Sequence, residues 1–162
     1  AATFGFTVWL RPEDAYLAKG GVAHNGEVAA RLGLQGIPES AETIAIATIL
    51  RLRRETGAKV HLCRLSTAEA VEMVRQAKQQ GLAVSCDVAA THVHLTEHDI
   101  AYFDSHCHLR PPLRSQRDKE SLRDGLKDGV IDVVCSDHTP VDDDAQLAPF
   151  AESEGGARGL EM

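Results

Sequence analysis

The stretch Ile131-Asp132-Val133-Val134-Cys135-Ser136-Asp137-His138-Thr139-Pro140 decides the fold and indicates where a site lies. Its first half is short, apolar and mostly β-branched, which is typical of a buried strand in a parallel sheet. The run ends abruptly at Asp137 and His138, and polar side chains at that end of a strand reach the open face of the sheet. Such a pair can bind a metal ion or transfer a proton. The plainer alternative is a capped turn in which Asp137 accepts hydrogen bonds from backbone amides.

The composition is that of an ordinary globular protein, and we treat residues 1–162 as a single domain. Hydrophobic residues make up 43% of the chain and charged residues 25%, so a chain of 162 residues can bury a sizeable core. The net charge of -7 argues against a nucleic-acid partner. We expect no membrane association, since no apolar run approaches the roughly 20 residues that cross a bilayer. The four cysteines are far apart with no CxxC pair, which favours a reducing, cytoplasmic location.

Strand and helix patterns alternate along the chain. We predict strands at 4–10, 59–65, 82–88 and 131–136, and helices at 27–32, 41–56, 67–80 and 118–127. A further short, capped helix is expected to begin near Thr96. Strands joined in this way by helices run parallel, with right-handed crossovers. The sequence therefore predicts an α/β fold, either half of a (β/α) barrel or a small doubly wound sheet.

A histidine-rich stretch at 91–108 has two interpretations. If it is extended, His92 and His94 lie on the same side and His98 could fold back toward them, which would suit zinc. The alternative is a polar loop that binds no metal. The run His106-Cys107-His108 leaves the same two alternatives open.

Two further segments are candidates for ligand binding. Arg110, Arg114 and Arg117 flank the double proline at 111–112, and guanidinium groups on a rigid loop suit bidentate carboxylate recognition. A solvated basic patch or an intersubunit salt bridge would fit the same pattern. Gly155-Gly156 permits close approach of the backbone to a ligand, or it forms a mobile turn.

Several runs together resemble the dihydroorotases of the amidohydrolase superfamily. These runs occur in that family's order and cover nearly the whole chain. They are LGLQGIPESAE at 32–42, with the core Gly33-Leu34-Gln35-Gly36-Ile37-Pro38, HLCRLST at 61–67, PPLR at 111–114, SDHTP at 136–140 and GLE at 159–161. HLCRLST corresponds to the family's pattern HxxHxST, and SDHTP corresponds to its pattern TDHAP. The resemblance implies a partial TIM-like (β/α)8 barrel in which this chain corresponds to about strands five to eight. The family's early His-x-His metal pair and its metal-bridging residue are not among these residues.

The family's metal-binding histidines are replaced here. The resemblance places Arg11 and Arg64 at those two positions, where a guanidinium group has no lone pair for a metal. It therefore implies no metal ligand at either position and no resident cofactor. We expect the two arginines to form ion pairs with Asp137 and Glu13 in the space that the metals would fill.

The family's other functional positions are kept in part. Asp137 corresponds to the proton-transferring Asp and is the catalytic residue that the resemblance implies. Arg110 stands at the position of a substrate-binding Asn, and Val141 replaces a His that contacts the substrate carboxylate. Gly155 and Gly156 remain small where the family contacts substrate through the backbone.

The resemblance leads to three hypotheses about function. The first is a catalytically degenerate protein of pyrimidine biosynthesis, a pseudoenzyme that associates with aspartate transcarbamoylase or with itself, as the family's non-catalytic relatives do. The second is an active zinc-dependent dihydroorotase that uses His61, His92 or His94, and Asp137. The third is a module that binds an acidic metabolite between Arg64 and Arg110. Because half a barrel has open sheet edges, we also expect the isolated piece to self-associate.

Overall fold

The computed structural model describes residues 1–159, and its centre is a four-stranded parallel sheet. The strands are β1 (Thr7–Leu10), β2 (Ala23–His24), β3 (Gly36–Ile37), β4 (Lys59–Leu62), β5 (Val84–Ala89) and β6 (Val133–Cys135). The helices are α1 (Glu27–Leu32), α2 (Ser40–Thr56), α3 (Ala68–Gln79), α4 (Ala90–His94), α5 (Gln116–Lys127) and α6 (Asp143–Gln146). The sheet order is β1-β4-β5-β6, and β2 pairs with β3 in a separate two-stranded ribbon.

The sheet has the sequential order of a barrel. Strands that follow one another in the four-stranded sheet are direct neighbours, and every pair is parallel. A doubly wound sheet would instead reverse its strand order at a switch point. The alternative that the sequence left open is thereby settled in favour of the partial (β/α) barrel.

The two faces of the sheet differ in chemistry because side chains alternate along each strand. Val60, Leu62, Cys86 and Val88 lie on the face covered by helices α2, α3 and α5 and form the main core there. The core also contains apolar residues from those helices: Ile46, Leu50, Val71, Val74 and Leu122. The opposite face carries polar residues, and it is the face that a complete barrel would enclose.

The predicted helices agree with the structure to within about two residues. Helix 27–32 is confirmed, and helices α2, α3 and α5 begin at Ser40, Ala68 and Gln116. The cap near Thr96 is also confirmed, since Thr96 and Asp99 form a capping box on a 3-10 turn at Glu97–Ile100. Within residues 1–159, no helix combines the length and the apolar character that crossing a membrane requires.

The predicted strands are too long at most ends. The first begins at Thr7, because a 3-10 turn occupies Ala2–Phe4, and the last covers only Val133–Cys135. The second ends at Leu62 instead of 65, since the backbone of Arg64 turns into the left-handed region at a φ of 59°. The third is shifted, and spans Val84–Ala89.

Candidate functional site

The candidate site lies at the carboxyl ends of β1, β4 and β6, where the barrel fold places its functional loops. Arg11 follows β1 directly, Arg64 comes two residues after β4, and Asp137 comes two residues after β6. Parallel strands bring these ends to one edge of the sheet. Residues that are far apart in the sequence therefore meet here.

Arg64 and Asp137 form an ion pair, as the sequence predicts. The Nη1 of Arg64 donates to Oδ1 of Asp137 over 2.6 Å, and the two side chains are 23% and 19% exposed. Both residues adopt a positive φ, 59° for Arg64 and 47° for Asp137. This conformation is uncommon for residues other than glycine, so the neighbouring structure holds both backbones in place.

Glu13 accepts hydrogen bonds from two arginines. Arg11 donates from Nη2 over 2.9 Å, which confirms the second predicted ion pair. Arg110 adds a bidentate contact through Nε and Nη2, with Nη2 at 2.7 Å from Oε1. No sequence pattern predicts this contact. Burial acts to raise the pKa of Glu13, but the hydrogen bonds from Arg110 and Arg11 outweigh it and the pKa is lowered.

A small cavity is lined in part by the arginines at this edge. Its volume is about 10 Å³, roughly the space that one water molecule needs. Its lining includes charged groups of both signs: Arg11, Glu13, Glu42, Arg64 and Arg114.

Arg114 lies inside the protein, so a solvated patch is the wrong interpretation for this residue. It is 4% exposed, and it donates to Ser66 Oγ, to the carbonyl oxygen of Ile37 and to Nδ1 of His24. Ser66 in turn donates from its backbone and its hydroxyl to Glu42, and burial raises the pKa of that carboxyl group. Because its bonding capacity is used internally, Arg114 supports the fold. Arg117, in contrast, is exposed.

The histidine-rich stretch does not assemble the predicted zinc ligands. Residues 90–94 form helix α4, so the expected alternation fails: His92 is buried while His94 and His98 are exposed. The Nε2 of His92 lies 3.1 Å from the carbonyl oxygen of Pro111, and its Nδ1 lies 3.1 Å from Thr91 Oγ1. Burial lowers the pKa of His92 to about 4. His92 is thus a neutral core residue.

The side chains of the run His106-Cys107-His108 do not converge on one site either. His106 is exposed and bonds Asp104, whereas the ring of His108 stacks on Phe150 and lies 3.0 Å from Ser153 Oγ. Cys107 is buried. These three side chains point to different surroundings, and the polar-loop alternative fits them.

Two groups of side chains in the described part of the chain have metal-ligand spacing. One consists of His61, Cys63 and Asp87, and the other of His24, Glu39 and Asp118. Neither contains His92, His94 or Asp137, so the ligand set of the second hypothesis is not brought together. The zinc positions that the resemblance implies also fit poorly, because Arg11 and Arg64 present guanidinium groups.

Gly155 and Gly156 lie against the strand-end loops. The backbone N–H of Gly156 donates to the carbonyl oxygen of His108 over 3.0 Å, and a Cβ on Gly156 would meet the carbonyl oxygen of Thr139 at 2.3 Å. Only glycine allows this close approach. Their contact with a substrate, like that of Arg110, stays a prediction. Of the GLE run, Leu160 and Glu161 lie outside the described residues.

Comparisons with known proteins relate this chain to dihydroorotases. A family model described as "Dihydro-orotase-like" matches residues 2–70. The chain is 45% identical over 162 residues to a dihydroorotase-like protein of Pseudomonas aeruginosa, covering 100% of this chain and 38% of that protein. It is 42% identical over 166 residues to a dihydroorotase of Pelotomaculum thermopropionicum, covering 99% of this chain and 38% of the relative.

Solved structures share the fold. L-hydantoinase from Arthrobacter aurescens superposes with a TM-score of 0.84 at 25% identity, over 99% of this chain and 37% of the hydantoinase. Dihydroorotase from Saccharomyces cerevisiae, in complex with 5-fluoroorotic acid, superposes with a TM-score of 0.72 at 16% identity, over 96% of this chain and 42% of its own. The chain spans less than half the length of each of these four proteins. It is a dihydroorotase-like segment of the amidohydrolase barrel.

Proposed function

We propose that this chain is part of a protein of pyrimidine biosynthesis whose dihydroorotase site is degenerate and which serves as a structural subunit with aspartate transcarbamoylase. The observation that carries the proposal is the ion pair between Arg64 and Asp137, at 2.6 Å. It occupies the edge of the sheet where the family's chemistry would take place.

Hydrolysis of a cyclic amide in this family requires a water activated by metal and a carboxylate free to accept a proton. Oδ1 of Asp137 instead accepts a hydrogen bond from a permanent cation, which occupies that oxygen. Arg64 and Arg11 also place positive charge where a divalent cation would have to enter. The side chains of this chain therefore oppose metal-assisted hydrolysis at this edge.

The pairing of the arginines at this edge supports the same proposal. Arg64 and Arg110, which the anion-binding hypothesis requires, already bond Asp137 and Glu13. That hypothesis consequently receives less support than structural association.

Apolar side chains are exposed at the edges of the sheet, where the remaining strands of a complete barrel would pair. Trp9 on β1 is 69% exposed, and Val133 and Val134 on β6 are about half exposed. Burial of such residues against another protein surface is favourable. The choice of aspartate transcarbamoylase as the partner comes from the resemblance to the family's non-catalytic subunits.

The second candidate is an active zinc-dependent dihydroorotase. It is favoured by the 42% identity with the dihydroorotase of Pelotomaculum thermopropionicum and by the presence of Asp137. This candidate would require Arg64 to leave Asp137 when substrate binds.

The experiment that tests the proposal is size-exclusion chromatography of the protein mixed with aspartate transcarbamoylase from the same organism. We expect the two to elute together at a fixed ratio, with the subunit adding no dihydroorotate turnover to the mixture. Separate elution at micromolar concentrations would contradict the structural role. Turnover by the separated protein would favour the enzyme candidate.

A further inference from the structure

A second polar cluster lies closer to the middle of the sheet than the arginine ion pairs. His61 on β4 and Asp87 on β5 are 6% and 4% exposed, and Cys63, just beyond β4, is half-buried. An imidazole nitrogen, a thiol sulfur and a carboxylate oxygen from these residues all lie within 4.8 Å of one another. The three side chains share the face that the helices leave uncovered.

We propose that His61, Cys63 and Asp87 form a binding site for zinc or a similar divalent cation. Zinc takes nitrogen, sulfur and oxygen ligands in a tetrahedral arrangement, and three protein ligands leave the fourth position to water. The site is distinct from the positions of Arg11 and Arg64, and it does not depend on the function proposed above.

The surroundings of the ligands fix their orientation as in known metal sites. Nδ1 of His61 lies 2.7 Å from Ser85 Oγ, while Nε2 faces Oδ2 of Asp87 at 2.9 Å. A ligating histidine almost always bonds a neighbour through its other ring nitrogen, and Ser85 fills that role.

Hydrogen bonds to Oδ1, the other carboxylate oxygen of Asp87, fix the orientation of this group. Oδ1 accepts a hydrogen bond from the backbone N–H of Arg64 over 2.8 Å, and the thiol of Cys135 lies 3.3 Å away. Oδ2 therefore faces His61 in a fixed direction. On metal binding, the single proton of the neutral His61 ring resides on Nδ1, which donates to Ser85 Oγ, while the proton of the Cys63 thiol is released to solvent. Nε2, the thiolate and Oδ2 of Asp87 then each contribute a lone pair.

The other group with metal-ligand spacing is a poorer site. Arg114 donates a hydrogen bond to Nδ1 of His24 over 3.0 Å, so a buried cation already uses that nitrogen. Asp118 is likewise committed to backbone amides of two helices. No arginine or lysine side chain bonds the ligand atoms of His61 or Asp87 among residues 1–159.

The test is a titration of the metal-free protein with Co²⁺, whose absorption reports thiolate ligands, followed by displacement with Zn²⁺. We expect one equivalent of Co²⁺ to bind with a thiolate-to-metal charge-transfer band that Zn²⁺ abolishes. Cys63→Ser should lose this band, and the matched variant Cys107→Ser, at a buried cysteine in another cluster, should keep it. Ser85→Ala should weaken binding by about 10- to 100-fold.

Circular dichroism of each variant verifies that it is folded. Absence of a thiolate band in the wild-type protein would overturn the proposal without reference to any variant. A band of unchanged strength in Cys63→Ser would overturn it as well, because another cysteine would then be the ligand.

Discussion

Arg64 and Asp137 combine an ion pair with two unusual backbone conformations. A positive φ commonly costs residues other than glycine about 1–3 kcal/mol, although Asp tolerates it better than most. Both residues retain it here, at 59° and 47°, while their side chains meet over 2.6 Å. The ion pair thus joins the segment that follows β4 to the segment that follows β6.

Two substitutions of Arg64 separate the ion pair from the backbone strain. Arg64→Ala and Arg64→Gly both remove the salt bridge, which we expect to lower the free energy of unfolding by about 1–2 kcal/mol. Glycine adopts the observed φ without strain, so Arg64→Gly should be about 1 kcal/mol more stable than Arg64→Ala. Urea denaturation at neutral pH measures both values. Equal stabilities would show that the backbone at residue 64 is not strained.

The buried ring of His92 makes the free energy of unfolding depend on pH. Its pKa in the folded protein is about 4, because burial disfavours the charged ring, whereas an unfolded histidine titrates near 6.5. Below about pH 6.5 the unfolded chain binds a proton that the folded chain does not. The stabilisation is therefore complete above about pH 6.5 and declines as the pH falls toward 4.

The variant His92→Gln removes this contribution. Between about pH 6 and 4.5, the unfolding free energy of this variant should fall less steeply with decreasing pH than that of the wild type. The two slopes should differ by up to about 1.4 kcal/mol per pH unit. His94→Gln, an exposed position on the same helix, should keep the wild-type slope. Denaturant titrations at several pH values provide the slopes. A wild-type slope in His92→Gln would contradict the buried, neutral histidine.

At the scale of elements, one carboxylate joins helices α3 and α5. Oδ2 of Asp118 accepts from the backbone N–H of Ser115 to complete the capping box of α5, and Oδ1 accepts from the N–H of Ala68 in α3 over 2.8 Å. Asp118 is 1% exposed. Its loss would leave donors at two helix starts without a partner.

Asp118→Ala should accordingly lower the free energy of unfolding by about 2–4 kcal/mol, the sum of a cap and a charge-assisted bond. Asp99→Ala is the matched control, because Asp99 closes a similar capping box on Thr96 at a single turn. It should cost about 1 kcal/mol. Thermal or urea unfolding compares them, and equal losses would show that the link between α3 and α5 contributes nothing.

The sequence predicted the helices better than the strands because helix ends carry local signals. Thr67 bonds the N–H of Ala70 at the start of α3, and Gly57 adopts a φ of 70° at the end of α2. The early end of β4 has no such signal. Arg64 turns there toward Asp137, which is 73 residues away in the sequence.

The same distinction applies to the candidate site. The pairs of Arg11 with Glu13 and of Arg64 with Asp137 were predictable, since family motifs place these residues at strand ends on the same edge of the sheet. The bond between Arg110 and Glu13, 97 residues apart, and the approach of Cys63 to Asp87 depend on loop paths and strand register. Neither is encoded in local spacing.

At the scale of the whole molecule, the outer edges of β1 and β6 have no neighbouring strand within the described part of the chain. An unpaired edge with exposed apolar residues invites pairing with another chain. Val134 lies on β6 and is 48% exposed. We therefore expect the isolated chain to self-associate through this edge as its concentration rises.

Val134→Lys should shift the isolated chain toward monomer by at least several-fold in dissociation constant, because a charge opposes pairing at a sheet edge. Leu147→Lys is the control, since Leu147 is 82% exposed but lies outside the sheet. Sedimentation equilibrium measures both. A wild-type chain that stays monomeric at high concentration would contradict the expectation.

The most direct test of the proposed degeneracy is dihydroorotate hydrolysis by the purified protein with zinc supplied, measured in parallel with Asp137→Asn. With Asp137 held by Arg64, we predict no turnover above that of zinc alone in either protein. Zinc bound at His61, Cys63 and Asp87 would not change this outcome. Turnover in the wild type that disappears in Asp137→Asn would contradict the account, because Asp137 would then be free to transfer protons.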